Sequence, residues 1–177
     1  IKKEKKKMTV EGLILEIIVI LIAIGLYFYL KKLNYKDVGK RFIILFLAVF
    51  LFELMSAPMW RNYNLDTWAY VFHDVSWIIT LGWVNLFFIT FIIVDKWKAN
   101  LLEKNKFWWY LLVLTIITVP IDSFLLKIGI RGYSSILTDT FSGLTIPLTL
   151  VPIEIIPTVP IIGALVIGFY KYFSEQY

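Results

Sequence analysis

The feature that most constrains this chain is an apolar run at residues 143–169, which carries one ionisable side chain, Glu154, and prolines at positions 147, 152, 157 and 160. As one helix, its 27 residues would extend about 40 Å, more than the roughly 30 Å of hydrocarbon in a membrane. Each proline removes a backbone donor, and membranes tolerate broken helices only where protein or a water-lined cavity satisfies the backbone. The run predicts a kinked, tilted or partly broken span, and an intramembrane acid is a candidate functional group.

The composition favours a membrane protein. The chain is 59% hydrophobic with a mean hydropathy of +0.77, whereas soluble domains are about half apolar. We therefore predict an all-α integral membrane protein, one membrane domain over residues 1–177 with a basic N-terminal extension at residues 1–9. Its five predicted transmembrane helices lie at about residues 10–30, 42–59, 67–94, 107–126 and 141–170.

The basic residues predict an orientation in the membrane. Without the first seven residues, ten Lys and Arg lie in residues 31–41, 95–106 and 171–177, against three in 60–66 and 127–140. Lys and Arg concentrate in cytoplasmic loops. We expect a multi-pass protein of a prokaryotic plasma membrane, with the N-terminus outside and the C-terminus in the cytoplasm. Counting the seven leading residues as part of the outer side would remove this bias.

The residue inventory argues against several kinds of site. The chain has no cysteine and one histidine, His73, which cannot form a recognisable zinc site. It has no phosphate-cradling glycine loop, and its basic residues form no stripe outside the loops. We predict no metal, no cofactor and no nucleic-acid partner.

Acids inside the predicted spans mark the candidate site. Glu53 lies well inside the second span, where an unpaired charge costs about 2.5–3.5 kcal/mol. Asp122 follows Thr115 and Thr118 in the fourth span, at a spacing that places all three on one helical face. We expect these faces to point into the bundle, with Arg61 and Arg131 of the outer loops as the available counter-charges.

The third predicted span has a polar face of its own. If it is helical throughout, Asp74, Trp77, Leu81 and Asn85 share one face, because eleven residues separate its first and last members, close to three helical turns. His73 then points about 100° away from that face.

The two halves of the chain resemble each other. Glu53 precedes Asn85 by 32 residues, and Asp122 precedes Glu154 by the same interval. Residues 60–63 (WRNY) correspond to residues 130–133 (IRGY) between the spans. We predict a parallel two-helix repeat, spans two and three against spans four and five, whose polar residues meet between the copies.

Residues 120–173 resemble the lycopene cyclase domain of carotenoid biosynthesis, the small integral-membrane type. The likeness rests on Asp122, on the run GIRGY at residues 129–133, and on the motif PIE at residues 152–154. The first half looks like a degenerate copy, with Glu53 at the acid position. The chain departs from the family at Ile155, where a second Glu is expected, and at the counterpart position in the first half, which is Asn85.

A looser similarity is to the membrane-bound terpene cyclases of meroterpenoid pathways, whose paired acids would correspond to Glu53 and Asp74. Both resemblances imply that an isoprenoid is protonated within the membrane, without a cofactor. Such chemistry needs a carboxylic acid held neutral by an apolar setting, and a second carboxylate that removes a proton. Aromatic faces stabilise the intermediate cation by about 0.5–2 kcal/mol each.

These implications select the candidate residues. Glu154 is the predicted acid, and Asp122 or Glu53 the predicted base. The full set of predicted catalytic residues is Glu154, Asp122, Glu53 and Asp74. The predicted substrate-binding residues are Trp60, Tyr63, Trp77, Trp83, Asn85 and Tyr133.

Two other functions fit the same pattern. A proton-coupled small-molecule transporter also uses a proline-broken helix with a midplane acid. A non-catalytic subunit of a larger membrane complex would explain the small size and the missing second Glu. Five spans make a thin bundle, so the expected partners are the lipid bilayer, a hydrophobic isoprenoid-type ligand, and either further copies of the chain or a partner membrane chain.

Overall fold

The computed structural model describes residues 8–175 of this chain, so residues 1–7 of the predicted basic extension lie outside the described residues. The described chain is mostly helical. Its long helices are α1 (Val10–Lys32), α2 (Val38–Ser56), α3 (Trp77–Trp97), α4 (Glu103–Lys127) and α6 (Thr158–Glu175), and a short helix, α5 (Ser135–Thr138), lies between the last two.

Helix α1 shows how local chemistry sets the helix ends. The Thr9 hydroxyl accepts a hydrogen bond from the Gly12 amide at 3.2 Å and so caps the first turn. Glu11 in the first turn and two lysines in the last turn complement the helix dipole.

Four helical segments are long and apolar enough to cross a membrane. They are Val10–Lys32, Trp77–Trp97, Glu103–Lys127 and Ile153–Ser174, the last of which includes α6. Helix α2 has 19 residues but carries Lys40, Arg41 and Glu53, and it does not meet the same criterion by composition. The fold is therefore mostly helical with four candidate spans among the described residues, and the fifth predicted span rests on α2.

The all-α prediction is wrong at one end of the bundle, where short strands form. Strand β1 (Trp60–Asn62) pairs antiparallel with β4 (Arg131–Tyr133), and Trp60 lies opposite Tyr133. A hairpin of β2 (Tyr70–Phe72) and β3 (Val75–Ser76) lies beside them. These strands gather the loops of both halves of the chain at the same end of the bundle.

The predicted third span, residues 67–94, is wrong at its start. Asp66 accepts a hydrogen bond from the Thr67 amide at 2.5 Å and begins a 3-10 turn at Thr67–Ala69. The hairpin follows, with His73 at a positive φ of 47° in its turn, and the helix starts only at Trp77. Hydropathy identified the segment as apolar, but an apolar segment can also form strands.

The predicted fifth span, residues 141–170, is also wrong at its start. Residues 141–157 are irregular apart from a 3-10 turn at Ile153–Ile155, and α6 begins at Thr158. The prolines at 147, 152 and 157 remove donors and disfavour helix in the residues before them. Pro160 lies in the first turn of α6, where its missing N–H costs little.

Helix α3 lies at the centre of the bundle. It packs on α1, α2 and α4, and α6 packs on α2 and α4. Phe87, Phe88 and Phe91 of α3 are buried, and the ring of Phe91 stacks on Tyr170 of α6 with centroids 5.4 Å apart. Large aliphatic side chains lie on the outside of the bundle; Leu21 of α1, for example, is 60% exposed. The outer surface is therefore apolar.

The end opposite the strands carries most of the basic residues of the described part of the chain. Asp95 accepts hydrogen bonds from the hydroxyls of Tyr110 at 2.6 Å and Tyr35 at 3.4 Å. Arg41 donates to the hydroxyl of Tyr170 at 3.0 Å. At that end these bonds join the α1–α2 loop to α3 and α4, and α2 to α6.

The predicted repeat is not established by this fold. The loops that the repeat equates do pair with each other, through β1 and β4. The helices that follow them differ, because α3 is preceded by a hairpin and α6 by a long irregular segment containing three prolines.

Gly12 gives a test of how α1 is attached. A Cβ at Gly12 would lie 2.0 Å from the backbone oxygen of Asn64, a group that cannot move away as a side chain would. We expect Gly12→Ala to destabilise the protein by about 1–3 kcal/mol through overpacking, measured as thermal unfolding in detergent. The control is Gly25→Ala in the same helix, where a Cβ would meet nothing within 4 Å. Equal unfolding temperatures for the two variants would contradict this account.

Candidate functional site

A buried arginine lies at the centre of the candidate site. Strand pairing of β4 with β1 places Arg131 at the end of the bundle with only 8% of the residue exposed. Its guanidinium lies 3.6 Å from Oδ1 of Asp122 on α4 and 4.2 Å from the ring centroid of Trp60 on β1. The ring centroid of Trp83 on α3 is 5.7 Å away. The arginine is therefore compensated by one carboxylate and two indole faces.

A second acid, Glu53, comes from α2 and is partly buried. Its Oε2 lies within hydrogen-bond distance of the hydroxyl of Thr80 on α3. The same hydroxyl oxygen lies 3.1 Å from the carbonyl oxygen of Ser76. Arg131 interacts electrostatically with both Glu53 and Asp122, so the two carboxyl groups share one guanidinium.

These side chains surround a small cavity of about 50 Å³. Its polar lining includes Glu53, Asp74, Asp122 and Arg131, and its aromatic lining includes Trp60 and Trp83. Phe87 and apolar residues of α2 and α6 complete the lining. Three of the four predicted acids, Glu53, Asp74 and Asp122, and two of the predicted aromatic residues line this cavity.

Asp74 reaches the cavity by a different route from the predicted one. The prediction that Asp74 shares a helical face with Trp77 and Asn85 is wrong, because Asp74 lies in the turn before β3. Its Oδ2 accepts a hydrogen bond from Arg61 at 2.6 Å. That bond raises the pKa of the Arg61 guanidinium. Asn62 also donates to the Asp74 carbonyl at 2.6 Å, which fixes the turn against β1.

The structure places Glu154 away from the cavity. It lies in the 3-10 turn before α6, and its Oε1 accepts a hydrogen bond from the Ser142 amide at 2.7 Å. It is absent from the described residues that line the cavity. The expectation that Glu154 lies deep inside a long helix is wrong, because the surrounding prolines prevent that helix, and its carboxylate fixes a loop instead.

Two of the predicted binding residues, Tyr133 and Tyr63, pack near the site without lining the cavity. The ring of Tyr133 packs against Trp60 with centroids 5.2 Å apart. Its hydroxyl is buried without a hydrogen-bond partner among the described residues, and burial raises its pKa. Tyr63 is 41% exposed and packs against Gly132, where a Cβ would lie 3.0 Å from the tyrosine ring.

The other two binding residues lie elsewhere. Trp77 donates from its indole nitrogen to the Trp68 carbonyl at 3.1 Å, and the two rings pack at the surface. Asn85 is buried between α3 and α1 and donates to the Val19 carbonyl at 2.9 Å.

Sequence reasoning missed two members of the site. Arg131 was expected to be a counter-charge in an outer loop, but it is buried at the centre. Its position within the run GIRGY was the one available signal. Thr80 was not selected as a site residue. A threonine hydroxyl in an apolar helix commonly hydrogen-bonds to a backbone carbonyl of its own helix, so a single threonine in the sequence gives no sign of a site.

The geometry defines a class, namely a mostly helical protein with candidate membrane spans and a buried acid–arginine cluster at one end. No protein-family model, no curated protein and no solved structure matches the chain. Within residues 8–175, no group of three or more His, Asp or Glu side chains could hold a metal ion.

Replacing one member of the buried ion pair tests its role in stability. We expect Arg131→Gln to cost about 3–5 kcal/mol, because it leaves the Asp122 carboxylate buried without its counter-charge. Adding Asp122→Asn to that variant should restore part of the loss. Thermal unfolding in detergent measures both effects.

The matched control is Arg61→Gln. The Arg61 side chain is 48% exposed in its pair with Asp74, and exposed pairs contribute about 1 kcal/mol or less. If Arg131→Gln unfolds at the same temperature as Arg61→Gln, the buried pair does not hold this end of the bundle together.

Proposed function

We propose that this chain spans a membrane and binds or cyclises a hydrophobic isoprenoid by protonating it within the cavity at Glu53, Asp122 and Arg131. The observation that carries the proposal is the convergence of a buried carboxyl group, a partly buried carboxyl group and a buried guanidinium on an aromatic-lined cavity. The likeness to lycopene cyclases adds a motif-level reason to choose an isoprenoid as the substrate.

Charge balance favours one neutral acid in this cluster. With both carboxyl groups ionised, the three side chains would carry a net charge of −1 in a low-dielectric setting, which desolvation disfavours. Asp122 lies in the ion pair with Arg131 at 3.6 Å. Glu53 is therefore the group that we assign as the neutral proton donor.

The contacts of Thr80 are consistent with this assignment. A hydroxyl has one proton to donate, and the Thr80 oxygen lies within hydrogen-bond distance of both the Ser76 carbonyl and Glu53. A carbonyl can only accept. Both contacts become hydrogen bonds if Thr80 donates to Ser76 and a protonated Glu53 donates to Thr80.

The proposed reaction needs no cofactor. Glu53 gives its proton to an alkene carbon, a carbocation forms, and a neighbouring double bond attacks that cation to close a ring. Asp122 then accepts a proton from the cyclised cation, and the proton returns to Glu53 before the next turnover. Trp83 and Phe87 line the cavity and would stabilise the cation by about 0.5–2 kcal/mol each.

The orientation forms part of the proposal. The site lies at the end with the strands, and among residues 8–175 the basic residues concentrate at the opposite end, as they do in cytoplasmic loops. The site would then face the outer side of the membrane. The prokaryotic plasma membrane and an assembly with other copies or a partner chain stay predictions.

Two alternatives remain beside this proposal. The transporter hypothesis depends on a proline-broken helix with an acid inside it, and Glu154 lies in the 3-10 turn that begins the candidate span Ile153–Ser174. It stays a prediction. A non-catalytic subunit stays a prediction, and co-purification in fixed stoichiometry without activity would favour it.

Glu53→Gln tests the proposal directly. Gln keeps the shape of the side chain and cannot protonate an alkene, so we expect cyclisation to fall about 10²–10⁴-fold. The measurement is the pigment profile of cells that accumulate lycopene, together with product analysis after reconstitution with linear prenyl substrates.

The matched control is Glu154→Gln, which changes an acid outside the cavity and should keep near-parental activity. A Glu53→Gln variant as active as the parent would refute the proposed acid. Loss of activity in Glu154→Gln alone would return the acid to the position first predicted from the sequence.

A further inference from the structure

An apolar groove lies on the other side of the Asp122–Arg131 pair from the cavity. It has a volume of about 230 Å³ and is formed by α1, α3 and α4. Its walls include Ile18 and Ile22 of α1, Ile89 of α3 and Phe124 of α4. Ile18 is 46% exposed and Phe124 57% exposed, so the groove opens toward the apolar outer surface of the bundle.

The groove and the cavity share a wall. Trp83, Asp122 and Arg131 line both of them. A molecule in the groove therefore contacts the same ion pair as a molecule in the cavity. The cavity of about 50 Å³ is too small for a whole isoprenoid, so most of such a molecule must lie elsewhere.

A polar group is built into the wall of this apolar groove. Asn85 is 3% exposed, and its Nδ2 donates to the Val19 carbonyl at 2.9 Å. Its Oδ1 is buried without a hydrogen-bond partner among the described residues. Leaving a buried acceptor unpaired is unfavourable, and a ligand that carries a hydroxyl donor would remove that cost.

The Nε of Arg131 is also buried without a hydrogen-bond partner in the described part of the chain. A hydroxyl both donates and accepts, so it can serve either Asn85 Oδ1 or Arg131 Nε. The acyl chain of a phospholipid has no hydrogen-bond donor and would leave Asn85 unsatisfied.

We infer that the groove between α1, α3 and α4 binds an isoprenoid chain bearing a hydroxyl group, which enters from the membrane and reaches the Asp122–Arg131 pair. This inference rests on the proposed function, because it names the place where the rest of the substrate lies. It also names a substrate class, the prenyl alcohols.

Gly82 offers a way to fill the groove. It lies on α3 in the groove wall, and a Cβ there would meet only Val19 Cγ2, at 3.8 Å. Gly82→Phe should place a ring in the groove without moving the backbone. Gly25→Phe is the matched control, because Gly25 lies on α1 with open space around it.

The binding experiment uses a geranylgeraniol probe that carries a diazirine at the end of its chain. The reconstituted protein is irradiated with the probe, and the labelled peptides are identified by mass spectrometry. We expect labelling in residues 15–22 and 121–125, suppressed by excess geranylgeraniol and not by excess phospholipid. Gly82→Phe should reduce it about tenfold, equivalent to about 1.4 kcal/mol, and Gly25→Phe should leave it unchanged.

The role of Asn85 has its own readout. The parent protein should bind geranylgeraniol about 2–10-fold more tightly than its methyl ether, since one hydrogen bond contributes about 0.5–1.5 kcal/mol. Asn85→Leu should abolish that preference. A variant that is merely less stable would bind both compounds more weakly and keep their ratio.

Several results would overturn the inference. These are suppression by phospholipid equal to that by geranylgeraniol, labelling unaffected by Gly82→Phe, or labelling confined to residues 49–57 and 158–166. If labelling is confined to those residues while Glu53→Gln has lost its cyclisation activity, the groove is refuted and the proposed function is still supported. An absence of competed labelling anywhere, with Glu53→Gln as active as the parent, would remove both.

Discussion

The structure of this end of the bundle depends on how a buried guanidinium is compensated. Taking Arg131 out of water costs several kcal/mol, and its neighbours must recover that cost. Asp122 supplies the opposite charge at 3.6 Å, and Trp60 supplies an aromatic face at 4.2 Å. The contact with Trp60 depends on the pairing of β1 with β4, which brings loops from the two halves of the chain together. The strand pairing therefore brings residues of the site together, a role that we expected continuous helices to have.

The sequence predicted well those helices whose position depends only on the length of an apolar run. The predicted spans at residues 10–30 and 107–126 correspond to α1 and α4 with their ends extended by a few residues. The spans at residues 67–94 and 141–170 failed at their starts, because hydropathy measures transfer from water and carries no information about backbone dihedrals. The prolines at 147, 152 and 157 did predict a break in the fifth span, whereas no comparable residue marked the hairpin at β2 and β3.

The residues of the candidate site also divide into those that the sequence could predict and those that it could not. Glu53 and Asp122 were predictable, because an acid inside a long apolar helix has few places to go other than the interior. Glu154 met the same criterion in a segment that does not form that helix, so its carboxylate bonds to the loop instead. Arg131 was hidden because a loop arginine in a membrane protein usually reports topology, and only the strand pairing shows that it is buried. Asp74 reached the cavity through a turn, and the helical argument that selected it was wrong.

The proposed chemistry is compatible with the charges that the cluster can hold. Before protonation of the substrate, a neutral Glu53, an ionised Asp122 and Arg131 sum to zero. After protonation, Glu53 is a carboxylate and the substrate is a cation, and the sum is again zero. In a low-dielectric site a reaction that conserves net charge avoids the Born cost of creating an isolated ion. The proposed step converts one ion pair into two, and Arg131 interacts electrostatically with both carboxylates. With Asp122 ionised, a cluster lacking the arginine would begin each turnover from a net negative charge, so the proposed protonation depends on the guanidinium as well as on the acids.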